Sequence, residues 1–133
     1  MQIAKAVAWG ATRIGVSNSV SGVNDLLAFS TGPNQVGIAG YNSNGTSAAL
    51  SIELTGGFSG ISTMELYETN ASSLSFSQQS DVPVSANAAS VTVPAGTYFT
   101  LLSKTPSINM DAPTNPESTV STVDSCFLEV ISK

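Results

Sequence analysis

Apolar residues alternate with small neutral polar ones along much of this chain. Over residues 47–54, Ala48, Leu50, Ile52 and Leu54 fall on one phase, and Ala49, Ser51 and Glu53 on the other. A repeat of two marks a strand whose successive side chains face opposite sides of a sheet. Residues 61–69 follow, with Met64 and Leu66 opposed by Glu65 and Tyr67. Further strand-like segments lie at 12–17, 25–31, 35–41, 74–79, 90–93, 97–103 and 118–131. Gly32-Pro33-Asn34, the Asn42–Gly45 cluster, Gly56-Gly57 and Pro94-Ala95-Gly96 break these runs with turn residues. Residues 2–9 are the only helix-like stretch. Ile3 and Val7 share a face there, Ala4, Ala6 and Ala8 are strong helix formers, and Gly10 can close the end.

The pattern predicts an all-β fold of about eight or nine short strands. We expect an antiparallel β-sandwich with two solvated sheets, led by a short N-terminal helix. A single domain is expected over residues 1–133. Within it, residues 1–10 form the lead-in, 105–117 a loop carrying Pro106, Pro113 and Pro116, and 118–131 an extra C-terminal strand. Trp9 would anchor the lead-in against the sandwich or against a partner domain.

Composition narrows the chemistry. Only 10% of residues are charged, against roughly 25% in an ordinary soluble domain. The net charge is −5 and the four basic residues, Lys5, Arg13, Lys104 and Lys133, are scattered. Nothing in that arrangement neutralises a phosphate backbone or an anionic membrane surface, so neither nucleic acid nor membrane is expected as a partner. Mean hydropathy is +0.19, which gives the chain apolar surface to bury. The sequence has no His and one Cys, Cys126, read as a buried thiol in a late strand. Zinc, copper or iron sites and a His-activated nucleophile therefore lack their residues, and no metal or other cofactor is expected.

Three glutamates merit weighing as an acid–base set. Glu53, Glu65 and Glu68 fall in two successive strand segments, and a retaining glycosidase needs two carboxyls about 5–5.5 Å apart. Outward strand positions give no raised pKa, so a solvated sheet face is the reading adopted and no catalytic residue is assigned. Aromatic residues carry the binding argument, because a sugar ring stacks its apolar face on Tyr or Trp while Asn contacts its hydroxyls. Tyr41, Tyr67 and Trp9 are the stacking candidates, and Asn42 and Asn44 the polar contacts. Tyr98 and Phe58 read as packing residues. Asn44-Gly45-Thr46 and Asn70-Ala71-Ser72 are N-glycosylation sequons, which fit a secreted protein.

Three passages together carry a family likeness. They are Ala11-Thr12-Arg13-Ile14-Gly15-Val16; Leu27-Ala28-Phe29 with Val36-Gly37-Ile38-Ala39-Gly40-Tyr41-Asn42; and Leu66-Tyr67-Glu68-Thr69-Asn70 with Ser80-Asp81-Val82-Pro83-Val84 and the run 89–99. Over about residues 6–103 the chain resembles the C-terminal β-sandwich that follows the (β/α)₈ barrel in clan A glycoside hydrolases, such as the family 30 glucanases and xylanases. It runs some thirty residues past the strand where such enzymes end. The resemblance brings no catalytic residue, since that family's catalytic glutamates lie on the barrel. It implies a secreted, non-catalytic accessory module that stabilises a catalytic domain and binds carbohydrate weakly. A stand-alone, self-associating structural or lectin-like protein is the alternative.

Overall fold

The computed structural model describes residue 7, residues 10–70, residue 72, and residues 74–104 and 127–132. Ten strands run through them: β1 (Thr12–Asn18), β2 (Val23–Gly32), β3 (Gln35–Asn42), β4 (Ala48–Leu54), β5 (Thr63–Asn70), β6 (Phe76–Gln78), β7 (Val82–Ser85), β8 (Ala88–Val93), β9 (Thr97–Ser103) and β10 (Phe127–Ser132). The one helical element among the described residues is a 3₁₀ turn, Gly56–Phe58. The expected helix over 2–9 lies outside the described residues except for Val7, which is not helical. Trp9, Cys126 and the loop 105–117 also lie outside them.

The sheet closes on itself, which corrects the expected sandwich. Its order is β5-β7-β8-β4-β10-β1-β2-β3-β9 and back to β5, a nine-strand barrel with β6 added on β5. Two strands change partner part way along and so make the closure. β1 pairs with β2 through Thr12–Ile14 and with β10 from Gly15 to Asn18. β7 gives Val82 and Pro83 to β5, then Val84 and Ser85 to β8. Closure removes the open edges that a sandwich leaves. Among the described residues, only the β1–β10 pairing is parallel. The short β7 is the strand the alternation did not reveal, because Pro83 interrupts its pattern; its neighbour Val84 donates its backbone N–H to Ser62 O at 2.9 Å.

Alternation places the core as the sequence predicts. Leu50, Ile52 and Leu54 of β4 are buried, and they meet Val91 and Ala89 of β8 on one side and Val130 and Leu128 of β10 on the other. Across the barrel, Ile38 pairs with Leu101, and Leu101 with Leu66. Gly40 faces Phe99, and a Cβ there would stand 2.8 Å from the Phe99 ring, so the missing side chain makes room for the ring. Phe58 of the 3₁₀ turn is fully buried and caps one end of this cluster. The β7–β8 turn holds Ala86 at φ 49° and Asn87 at φ 61°, the left-handed pair of a two-residue hairpin.

Candidate functional site: an aromatic outer wall

The outward phases of β2, β3, β9, β5 and β6 share one wall of the barrel. Strand register arranges them in rows. One row runs Asn24, Tyr41, Tyr98, Thr69, Phe76. The next runs Leu27, Ala39, Thr100, Tyr67, Gln78. Ala39 and Thr100 are buried although they face outward, and neither they nor Tyr67 joins the central core cluster.

The rings in these rows form two stacks. Tyr41 and Tyr98, directly opposed on β3 and β9, lie 4.3 Å apart at 26°. Tyr67 and Phe76, on β5 and β6, lie 5.4 Å apart at 9°. In each stack one ring is the more sheltered and its partner stands out. Tyr41 is half-buried and Tyr98 is 43% exposed; Tyr67 is buried and Phe76 is 48% exposed. Stacked aromatic pairs contribute about 0.5–1.5 kcal/mol beyond their buried area, so each projecting ring is steadied by a ring on the neighbouring strand. Leu74, 79% exposed at φ 54°, stands beside Phe76 at the β5–β6 turn, where its N–H bonds Asn70 O at 2.8 Å.

The polar groups at the lower rim are already engaged. Tyr67 donates its hydroxyl to Glu65 Oε2 at 3.0 Å. That bond, with burial, raises the Tyr67 phenol above its ordinary pKa. Lys104 Nζ meets Asp81 Oδ2 at 2.8 Å, a surface pair that stabilises little but raises the ammonium pKa. Glu68 faces the opposite side of β5, and burial raises its carboxyl pKa.

The structure redistributes the residues singled out in the sequence. Tyr41 and Tyr67 do share one wall, but they are the inner members of their stacks. Tyr98, read as packing, and Phe76, not singled out at all, are the outer ones. Their signal was available: both sit on the non-core phase of their strands. Asn42 is fully buried, and its Nδ2 lies 3.0 Å from the carbonyls of Thr46, Val93 and Pro94 while its Oδ1 accepts the N–H of Asn44. It locks the β3–β4 loop to the β8–β9 turn and offers no surface to a sugar, contrary to the expectation. Asn44 is half-buried and donates Nδ2 to Ser21 O at 3.0 Å. Asn70 Oδ1 accepts both the N–H and the hydroxyl of Ser72, the third residue of its sequon.

The glutamates are not brought together. β4 and β5 are separated in the sheet by β8 and β7, so Glu53 and Glu65 stand on different walls of the barrel. Glu65 and Glu68 are on opposite phases of one strand. Glu53 instead faces Glu129 of β10 directly in register. Among the described residues no three His, Cys, Asp or Glu side chains converge as a metal site would require.

The barrel has a glycoside hydrolase-related fold. A family 30 endoxylanase from Clostridium papyrosolvens superposes with a TM-score of 0.67 over 78% of this chain and 26% of its own, at 20% identity. Xylanase C of family 30 from Talaromyces cellulolyticus gives 0.55 over 71% and 21%, at 27% identity. A family 44 endoglucanase from a Clostridium gives 0.56 over 64% and 17%, at 18% identity. The chain thus spans about a quarter or less of the structures it matches. No protein-family model matches it, and no curated protein matches it in sequence.

Proposed function

We propose that this chain is a non-catalytic accessory module of glycoside-hydrolase type, equivalent to the C-terminal β domain of family 30 enzymes. It stabilises a partner catalytic domain and contacts carbohydrate weakly through its aromatic wall. One observation supports this above the rest: more than three quarters of the chain matches only 26% of a family 30 endoxylanase. The dispersal of Glu53, Glu65 and Glu68 supports the non-catalytic half, since hydrolysis with retention needs two carboxyls flanking one bond. A glycan-handling role and the two sequons together fit secretion.

The purified chain should release no reducing sugar from xylan or β-glucan. Mixed with a family 30 (β/α)₈ barrel stripped of its own β domain, it should raise that barrel's Tm. Turnover above a heat-denatured control overturns the non-catalytic reading, and an unchanged barrel Tm overturns the stabilising role.

A further inference from the structure

Asn44-Gly45 is the only Asn-Gly pair in the sequence. In such a pair the glycine backbone nitrogen can attack the side-chain carbonyl carbon of the asparagine, because no Cβ obstructs it and the glycine backbone turns freely. The pair lies in the β3–β4 loop, with Asn44 half-buried and Gly45 exposed. The fold holds the Asn44 amide against another element. Its Nδ2 donates to Ser21 O at 3.0 Å, across to the β1–β2 turn. The amide lies against Gly22, at φ 76°, where a Cβ would collide with it. Beside it, Ser43 donates both its N–H and its hydroxyl to Gly22 O, each at 2.8 Å. The Asn44 N–H donates to Asn42 Oδ1 at 3.1 Å, and Asn42 is itself bonded to the carbonyls of Val93 and Pro94. Two asparagines thus join the β1–β2 turn, the β3–β4 loop and the β8–β9 turn at one end of the barrel.

We propose that Asn44-Gly45 is a self-modification site that the fold keeps latent: the Asn44 amide is withheld from Gly45 while these loops are joined, and deamidates when they part. The step needs water and no other reagent. The Gly45 nitrogen loses its proton and bonds to Asn44 Cγ, the Cγ–Nδ2 bond breaks, and ammonia leaves with that proton, closing a succinimide. Water then adds to one of the two ring carbonyls and opens the ring, leaving aspartate or isoaspartate at position 44. Ring closure turns the amide towards the main chain and expels Nδ2, the atom that bonds Ser21 O. The rate therefore follows the population of the opened loop. Afterwards the loops cannot rejoin in the same way. A carboxylate is an acceptor only and has no hydrogen for Ser21 O, so it would set two acceptors face to face. Isoaspartate also adds a carbon to the main chain. This end of the barrel thus records its own opening as one added negative charge. The site is independent of the accessory reading and of the aromatic wall.

The test uses the full chain made in a bacterial host, so that the Asn44 sequon carries no glycan. It is incubated in mildly alkaline buffer, folded or unfolded in urea. Peptide mass spectrometry reads the exchange of NH₂ for OH at position 44 and separates aspartate from isoaspartate. The unfolded chain should convert, and the folded chain should convert about tenfold more slowly or less, since the joining hydrogen bonds must open first. Gly45→Ala places a Cβ in open space and should suppress conversion in urea. Ser43→Ala removes the hydroxyl bond to Gly22 O and should speed conversion of the folded chain about fivefold. Asn44→Asp should speed hydrogen exchange of the Ser43 amide, which bonds Gly22 O, by about the same factor. Circular dichroism confirms that each variant folds. No conversion in urea, or equal rates folded and unfolded, overturns the latent site. Folded conversion that Ser43→Ala leaves unchanged overturns the hold, and unchanged Ser43 exchange in Asn44→Asp overturns the unfastening of the loops.

Discussion

Two walls of this barrel are built from the same alternation and present different surfaces. On the wall made by β4 and β8, outward positions are small or polar: Ala49 opposes Thr92, Ser51 opposes Ser90, and Glu53 opposes Ala88; on the next strand, β10, Glu129 faces Glu53 and Ile131 faces Ser51. Burial there follows a strict period of two, buried for Ala48, Leu50, Ile52 and Leu54 and exposed or half-buried between. On the wall made by β3, β9 and β5 the period fails. Val36 to Gly40 are all buried, and so are Phe99 to Leu101. Large rings share the outward phase there with these small buried neighbours. The two stacked pairs stabilise the sheet, and the half-exposed Tyr98 and Phe76 make that wall the place to seek a ligand or partner.

The comparison can be broken or sharpened by substitution. The largest effect should come from the core that both walls share. Phe99→Ala removes a fully buried ring that Gly40 was shaped to admit, and denaturant unfolding should show a loss of about 3–5 kcal/mol. Asn42→Ala should cost about 1–3 kcal/mol in the same measurement, because it leaves the buried Val93 carbonyl without its donor and releases the part-buried carbonyls of Thr46 and Pro94. Asn42 belongs to the structure rather than to a ligand, so this loss should leave glycan contact unchanged in whatever fraction folds.

How much of this was legible in the chain depends on which physical signal each part left. β4 declared itself by period, and so did Met64 and Leu66 of β5, whereas β9 showed as an unbroken run of apolar, aromatic and β-branched residues. Closure did not, because it depends on β1 and β7 changing partners midway. No local pattern in Thr12–Asn18 or Val82–Ser85 encodes a partner. Asn42 looked like an exposed turn amide because it precedes Ser43 and Asn44; its burial is set by Val93 and Pro94, fifty residues away. Tyr98 reads as packing within the apolar run 97–103, although it falls on the phase opposite Phe99 and Leu101.

Smaller effects follow. Ala86 is held at φ 49°, where a Cβ costs about 1 kcal/mol, so Ala86→Gly should stabilise the β7–β8 hairpin by that amount in thermal unfolding. Glu129→Lys should add about 0.5 kcal/mol by turning the Glu53–Glu129 repulsion into an attraction on the plain wall. The smallest is pH-dependent. Burial raises the folded-state pKa of Glu68, so the folded protein favours its neutral form. That raised value makes stability fall as pH climbs above the ordinary glutamate pKa, and the loss is complete once pH exceeds the folded value. Glu68→Gln should therefore raise Tm slightly at pH 7 and leave it unchanged near pH 3.

The most direct test of the contrast between the walls is a ¹H–¹⁵N correlation spectrum of the chain titrated with xylohexaose. The account predicts concentration-dependent shifts at Tyr41, Tyr98, Thr69 and Phe76, with Thr92, Ser90 and Ser51 unmoved. Shifts confined to β4, β8 and β10, or a spectrum that does not change up to saturating sugar, would contradict it.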